Sequence, residues 1–292
     1  MMQRTQLSKL LSAISFALVA ADIKFSMFGI PTALLCLFLA YAISWELAHL
    51  FRVKWNAYTS ESSSTSISLI LVGALFYFGC TDKAVATLIQ THGQNTVYGS
   101  IQWRLNELTL VALSMGMMMG ALVLAATIVS YVVDAWSQRK PIMVVLGTAS
   151  SVLVGLTVGI PFGLAVTMIA PKESALSLLS LIGGVSVANL LKADDEANSQ
   201  SSQRYRFLSP IAGGLFSALV AGILINSMLE SAKLFALVTF GVMAQQRLLS
   251  GLGIEQVPEN VPKILSVGIG FYARHFLAIG VCASAAMLLK LL

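Results

Sequence analysis

Apolar and polar residues alternate along this chain in long blocks, not at the short periods of a soluble amphipathic helix or strand. Apolar stretches run over residues 7–24, 27–50, 67–90, 107–136, 141–170, 174–191, 208–229, 232–249 and 264–292, with polar or charged breaks between them. A helix needs roughly 20 apolar residues to cross about 30 Å of hydrocarbon, and most of these stretches supply them. The pattern predicts an all-α, polytopic helical membrane bundle of eight or nine spans forming a single membrane domain. The stretch 232–249 either crosses or forms a re-entrant piece, since its uninterrupted apolar core is short. The stretch at 67–90 crosses only if its helix continues through Asp82 and Lys83.

The stretch 141–170 is free of charge over its whole length and is bounded by Arg139 and Lys140 before it and Pro171 and Lys172 after it. Within it Gly147, Ser151, Gly155, Gly159 and Gly163 recur at every fourth position, so on a helix they form one slowly winding groove of small residues. Small-xxx-small spacing is how helices pack closely in lipid, where no hydrophobic force separates helix from solvent. The expected partner is the Met-rich helix at 107–136, joined to it by the tight turn 137–140, or a second copy of the chain. Pro161, between Gly159 and Gly163, removes one backbone hydrogen bond and is a candidate kink. Gly214, Ala218 and Gly222 repeat the small-residue spacing in 208–229, although the two stretches do not align as a duplication.

Composition agrees: 57% of the 292 residues are hydrophobic and 11% charged, against about 25% charged in soluble domains. The net charge of +5 does not indicate nucleic acid, because the basic residues sit at the ends of apolar runs and do not line one face. Counted over alternate loops, Lys and Arg divide eleven against six in favour of the side that holds residues 51–66, 137–140 and 192–207. The positive-inside bias makes those loops cytoplasmic, with the N-terminus cytoplasmic in a plasma (inner) membrane. Arg4 and Lys9 followed by an apolar run resemble a secretory signal with Val19-Ala20-Ala21 as its cleavage site, but the many later spans favour a retained first helix. Cys36, Cys80 and Cys282 lie inside apolar runs without metal-ligand spacing and read as packing residues.

Charge inside a span is costly and marks a candidate polar site. Arg274 and His275 stand about ten residues into 264–292, as a proton or anion site or as a structural pair with Glu46 or Asp134. Glu46 and His49, three residues apart on one helix face, have the make-up of a proton shuttle, yet Arg52 and Lys54 follow within a turn or two as in an ordinary interfacial network. Asp134 stands close to Arg139 and Lys140 in the same way. Asn189, Asn226, Gln245 and Gln246 read as hydrogen-bonding glue between helices.

No nucleophile elbow, zinc-protease, Walker or dinucleotide motif occurs, so neither an enzyme nor a cofactor is expected. The sequence favours a structural or pore-forming subunit of a membrane assembly, surrounded by lipid and by copies of itself or partner subunits. The alternative is a secondary transporter or channel for a small solute or ion.

Overall fold

A computed structural model of the chain describes residues 4–25, 29–55, 59–92, 132, 141–169, 172–196, 202–251 and 271–291. These form eight helices: α1 (Arg4–Phe25), α2 (Ile30–Trp55), α3 (Glu61–His92), α4 (Pro141–Thr167), α5 (Lys172–Glu196), α6 (Ser202–Leu224), α7 (Met228–Gly251) and α8 (Phe271–Leu291). No strand occurs among the described residues. Six helices are long and apolar enough to cross a bilayer, namely α1, α2, α4, α5, α6 and α7. The stretch 107–136 apart from Val132, the turn 137–140 and Asp134 lie outside the described residues.

The helices outrun several expected boundaries, because a helix propagates past its apolar segment wherever the next residues still tolerate it. The end of the expected loop 51–66, from Glu61 on, is already helix α3. Ser60 is its N-cap, its hydroxyl accepting from the Ser63 N–H at 3.4 Å, and Glu61 favours the positive end of the helix dipole. The hydrophilic segment 192–207 is likewise helical as far as Glu196 and again from Ser202. The stretch of doubtful span length is one continuous helix of 24 residues, α7. It turns back from α6 through Asn226, whose φ of 54° lies in the left-handed region that Asn tolerates.

The glycine groove of α4 has a partner other than the expected ones. α3 lies in it. A Cβ placed on Gly155 would stand 2.7 Å from Ile67 and 3.0 Å from the Ser64 carbonyl oxygen, and one on Gly159 would stand 2.8 Å from the Ser68 Cα. Gly163 faces Leu75 in the same line. Backbone therefore rests on backbone along two turns of helix, and hydroxyls close the seam at one end. The Ser60 N–H donates to Ser151 Oγ at 2.8 Å, and Thr59 and Ser150 share a bond of 2.9 Å. A second such crossing joins α5 to α6, where Gly184 faces the Gly213 carbonyl and Gly213 faces Ala188.

Small residues point inward and large ones outward. On α6 the stripe Leu208, Ile211, Leu215, Leu219 and Ile223 is exposed, Ile223 by 80%, while Gly213 and Ser217 are buried. α4 likewise exposes Val145, Leu146, Leu153 and Ile160. Water would penalise this inversion heavily, whereas lipid does not, and it identifies the exterior as a hydrocarbon-facing surface. α5 is covered on nearly every side and forms the centre with the inner faces of α2 and α8, where Ile43, Leu178, Leu181, Tyr272, Phe276 and Ile279 are buried.

The first turn of α2 is held by α1. The Asp22 carboxylate accepts from the Gly29 N–H at 2.9 Å, the Thr32 N–H at 3.2 Å and the Thr32 hydroxyl at 2.7 Å. Gly29 has a φ of 80° and packs on Ile169, so this turn is open to glycine alone. Asp22 is 3% exposed and holds two helices together, where the sequence suggested only a charge ending a span.

Candidate functional site

The C-terminal parts of α2, α5 and α7 and the first turns of α8 meet at one end of the bundle, and their buried polar groups converge there. The starting point is Glu46, sixteen residues into α2 and 1% exposed. Its carboxylate accepts from the backbone N–H of Tyr272 at 3.1 Å and of Ala273 at 2.8 Å. The first N–H groups of a helix have no partner within it and carry the positive end of its dipole, which suits a carboxylate.

Those two bonds meet the first described turn of α8, the turn that also holds Arg274. Residues 264–270 of the stretch expected to be helical lie outside the described residues. Glu46 reaches α8 through its backbone, a contact that a search for side-chain ion pairs does not anticipate.

The next turn of α8 is also met from outside. Gln245 of α7 donates from Nε2 to the Ala273 carbonyl at 2.7 Å and to the Arg274 carbonyl, while its Oε1 accepts from the Ala278 N–H at 3.0 Å. Arg274 and Ala278 are one i, i+4 pair, so the amide inserts into the ladder that would join them. Asn189 of α5 donates to the His275 carbonyl. Three successive carbonyls of α8 are thus held by side-chain amides of two other helices. One turn further, Gly280 lets α8 approach Pro161 of α4, whose Cβ would stand 2.9 Å from a Cβ added there. Pro161 lies inside α4, which continues past it to Thr167, and forms the crossing point with α8.

His275 is 5% exposed and packs its ring edgewise on Phe271, with centroids 4.6 Å apart. Tyr272 stacks edge-on against Phe38 of α2 at 5.6 Å. The junction so assembled contains a carboxylate, an imidazole, a guanidinium, two primary amides and backbone groups of both signs. Among the described residues no three His, Cys, Asp or Glu side chains gather as a metal ion would require.

Glu46 and His49, grouped by the sequence as one pair, serve different helices. His49 Nδ1 lies 2.6 Å from Glu61 of α3, its ring stacks on Trp45 with centroids 5.0 Å apart, and Arg52 approaches the same Glu61 oxygen at 3.8 Å. That cluster clasps α2 to α3 at the mouth of the bundle, while Glu46 points inward to α8. The amide reading of the sequence describes Asn189 and Gln245 correctly in kind, but it does not reveal that both act on one interrupted helix. Gln246, beside Gln245, has only a long contact of 3.5 Å to Ser209. Asn226 acts through its backbone turn.

Gln245→Leu is expected to lower stability by about 2–4 kcal/mol, because it strands a buried N–H and weakens the satisfaction of two carbonyls. Gln246→Leu, one residue on, is expected to stay within about 0.5 kcal/mol of the parent. Thermal unfolding of the two purified variants in detergent checks the contrast, and equal melting temperatures would refute the inserted amide.

Comparison with family models, with curated proteins and with solved structures returns no match to this chain.

Proposed function

We propose that the chain is a membrane carrier for a small polar or charged solute, which it takes at the buried junction around the start of α8. One observation carries this reading: inside an apolar bundle, backbone groups in the first described turns of α8 are met by side chains of other helices, Glu46, Asn189 and Gln245. Backbone without its own ladder is tolerated in a membrane only where protein or an aqueous cavity satisfies it. Carriers use such broken helices because the free N–H and C=O groups can be handed from a protein side chain to a solute. At the adjacent crossing, Gly280 lets α8 pack closely on Pro161 and Phe162 of α4.

On this reading the chain carries out no covalent chemistry and lies in a plasma (inner) membrane with its junction end toward the cytoplasm. The basic residues Arg52, Lys192, Arg204, Arg206 and Arg247 near that end support the orientation. The competing reading, a structural or pore-forming subunit, draws on short loops, small-residue helix faces and sparse intramembrane charge; of those faces, the α4 groove is filled by α3 of the same chain.

The test needs no knowledge of the solute. A single cysteine is introduced by Ala273→Cys after Cys36, Cys80 and Cys282 are replaced by alanine, and sealed, oriented vesicles are treated with a membrane-impermeant maleimide. A carrier is expected to react from either side, as the junction opens alternately. Reaction from one side only, or from neither, would overturn the carrier reading.

A further inference from the structure

We infer that Glu46 is the proton-binding group of this junction and that H⁺ is the coupling ion of the carrier. The inference rests on the carrier reading for its role but on geometry for its chemistry. A carboxylate offers acceptors on both oxygens, and here each oxygen takes one N–H: Tyr272 on Oε1 and Ala273 on Oε2. When a proton from the aqueous phase binds one oxygen, the charge that both N–H groups meet is neutralised and that oxygen becomes an O–H donor and a weaker acceptor. The hold of the carboxyl group on the first described turn of α8 is then loosened. No other atom or electron is exchanged, and the proton leaves by the reverse step.

The surroundings single out Glu46. On its own helix His49 and Arg52 are turned to Glu61. From α3 the charged residue at this end is that same Glu61, and the described part of α4 contains none. Lys9 of α1 is exposed. From α8 come Tyr272, Arg274 and His275, whose protonation or charge shares the junction with Glu46. Asp22, the other buried acid among the described residues, accepts three bonds at the short turn between α1 and α2, where its loss of charge would loosen a local corner. Of these two acids, Glu46 is the one that meets a helix whose next carbonyls are held by side-chain amides.

The full chain in lipid is titrated with acid and followed by infrared difference spectroscopy and by amide hydrogen exchange. The expected result is a protonated-carboxyl band that is present in the parent and in Asp22→Asn and missing from Glu46→Gln. Exchange in the peptide containing Tyr272 and Ala273 should quicken at least several-fold on acidification in the parent and lose that dependence in Glu46→Gln. A band unchanged by Glu46→Gln, or exchange at Tyr272 and Ala273 that acid leaves unaltered in the parent, overturns the inference. The parent measurement stands even where Glu46→Gln does not fold. A titrating Glu46 in a chain whose Ala273→Cys variant reacts from one side only would sink the carrier reading and leave the proton site intact; alternating access with no titration would do the reverse.

Discussion

Gly159→Leu is expected to prevent α3 from seating on α4. Even a methyl group at this position would stand 2.8 Å from the Ser68 Cα and 2.9 Å from Leu71, and the first of these is backbone that cannot turn aside. Overpacking of this kind costs about 1–3 kcal/mol where side chains can yield, and a leucine against backbone costs more, because the helices must part along their length. Parting also strains the Ser60–Ser151 and Thr59–Ser150 bonds that close the seam. The variant should lose its cooperative thermal transition in detergent, and Gly159→Ala should show a clear decrease in melting temperature. Because α3 and α4 belong to one chain, the loss should appear as instability. A smaller assembly on size-exclusion chromatography with unchanged stability would mean that the groove joins separate chains.

Glu46→Ala is expected to be the most damaging change to a polar residue. It leaves two buried N–H groups without an acceptor, at roughly 1–3 kcal/mol each, for a total of about 2–6 kcal/mol. Glu46→Gln retains one acceptor oxygen and should cost about half as much. The order parent, Gln, Ala in thermal unfolding is the result to look for. A Glu46→Ala variant as stable as the parent would show that the start of α8 does not depend on α2.

The parts of this molecule that sequence revealed are those decided locally. Long apolar blocks make helices in lipid whatever their neighbours, so the all-α bundle and most spans were legible from hydropathy alone. The register of Gly155, Gly159 and Gly163 was legible too, since small residues every fourth position can only form a groove. Their partner was not. The α3 residues that fill the groove, Ser64, Ile67, Ser68 and Leu71, share one helix face at i, i+3, i+4 and i+7, but that spacing does not say which helix they meet. Arg274 and His275 stood out as charged, but the carboxylate that meets the backbone beside them comes from Glu46, 226 residues before Tyr272, and no spacing in the sequence links the two. Asp22 was overlooked because a carboxylate at the end of a span looks the same whether it meets water or the amides of the next helix.

The bond from Glu46 to α8 bears on how the protein is made. At about 5–20 residues per second, a ribosome takes on the order of 10–45 s to go from Glu46 to Tyr272. During that interval α2 is synthesised but the backbone that receives its carboxylate does not exist. Until α8 is made, Glu46 lacks the two N–H groups that it meets in the folded chain. A chain truncated before residue 271 should therefore hold an unmet acid within α2.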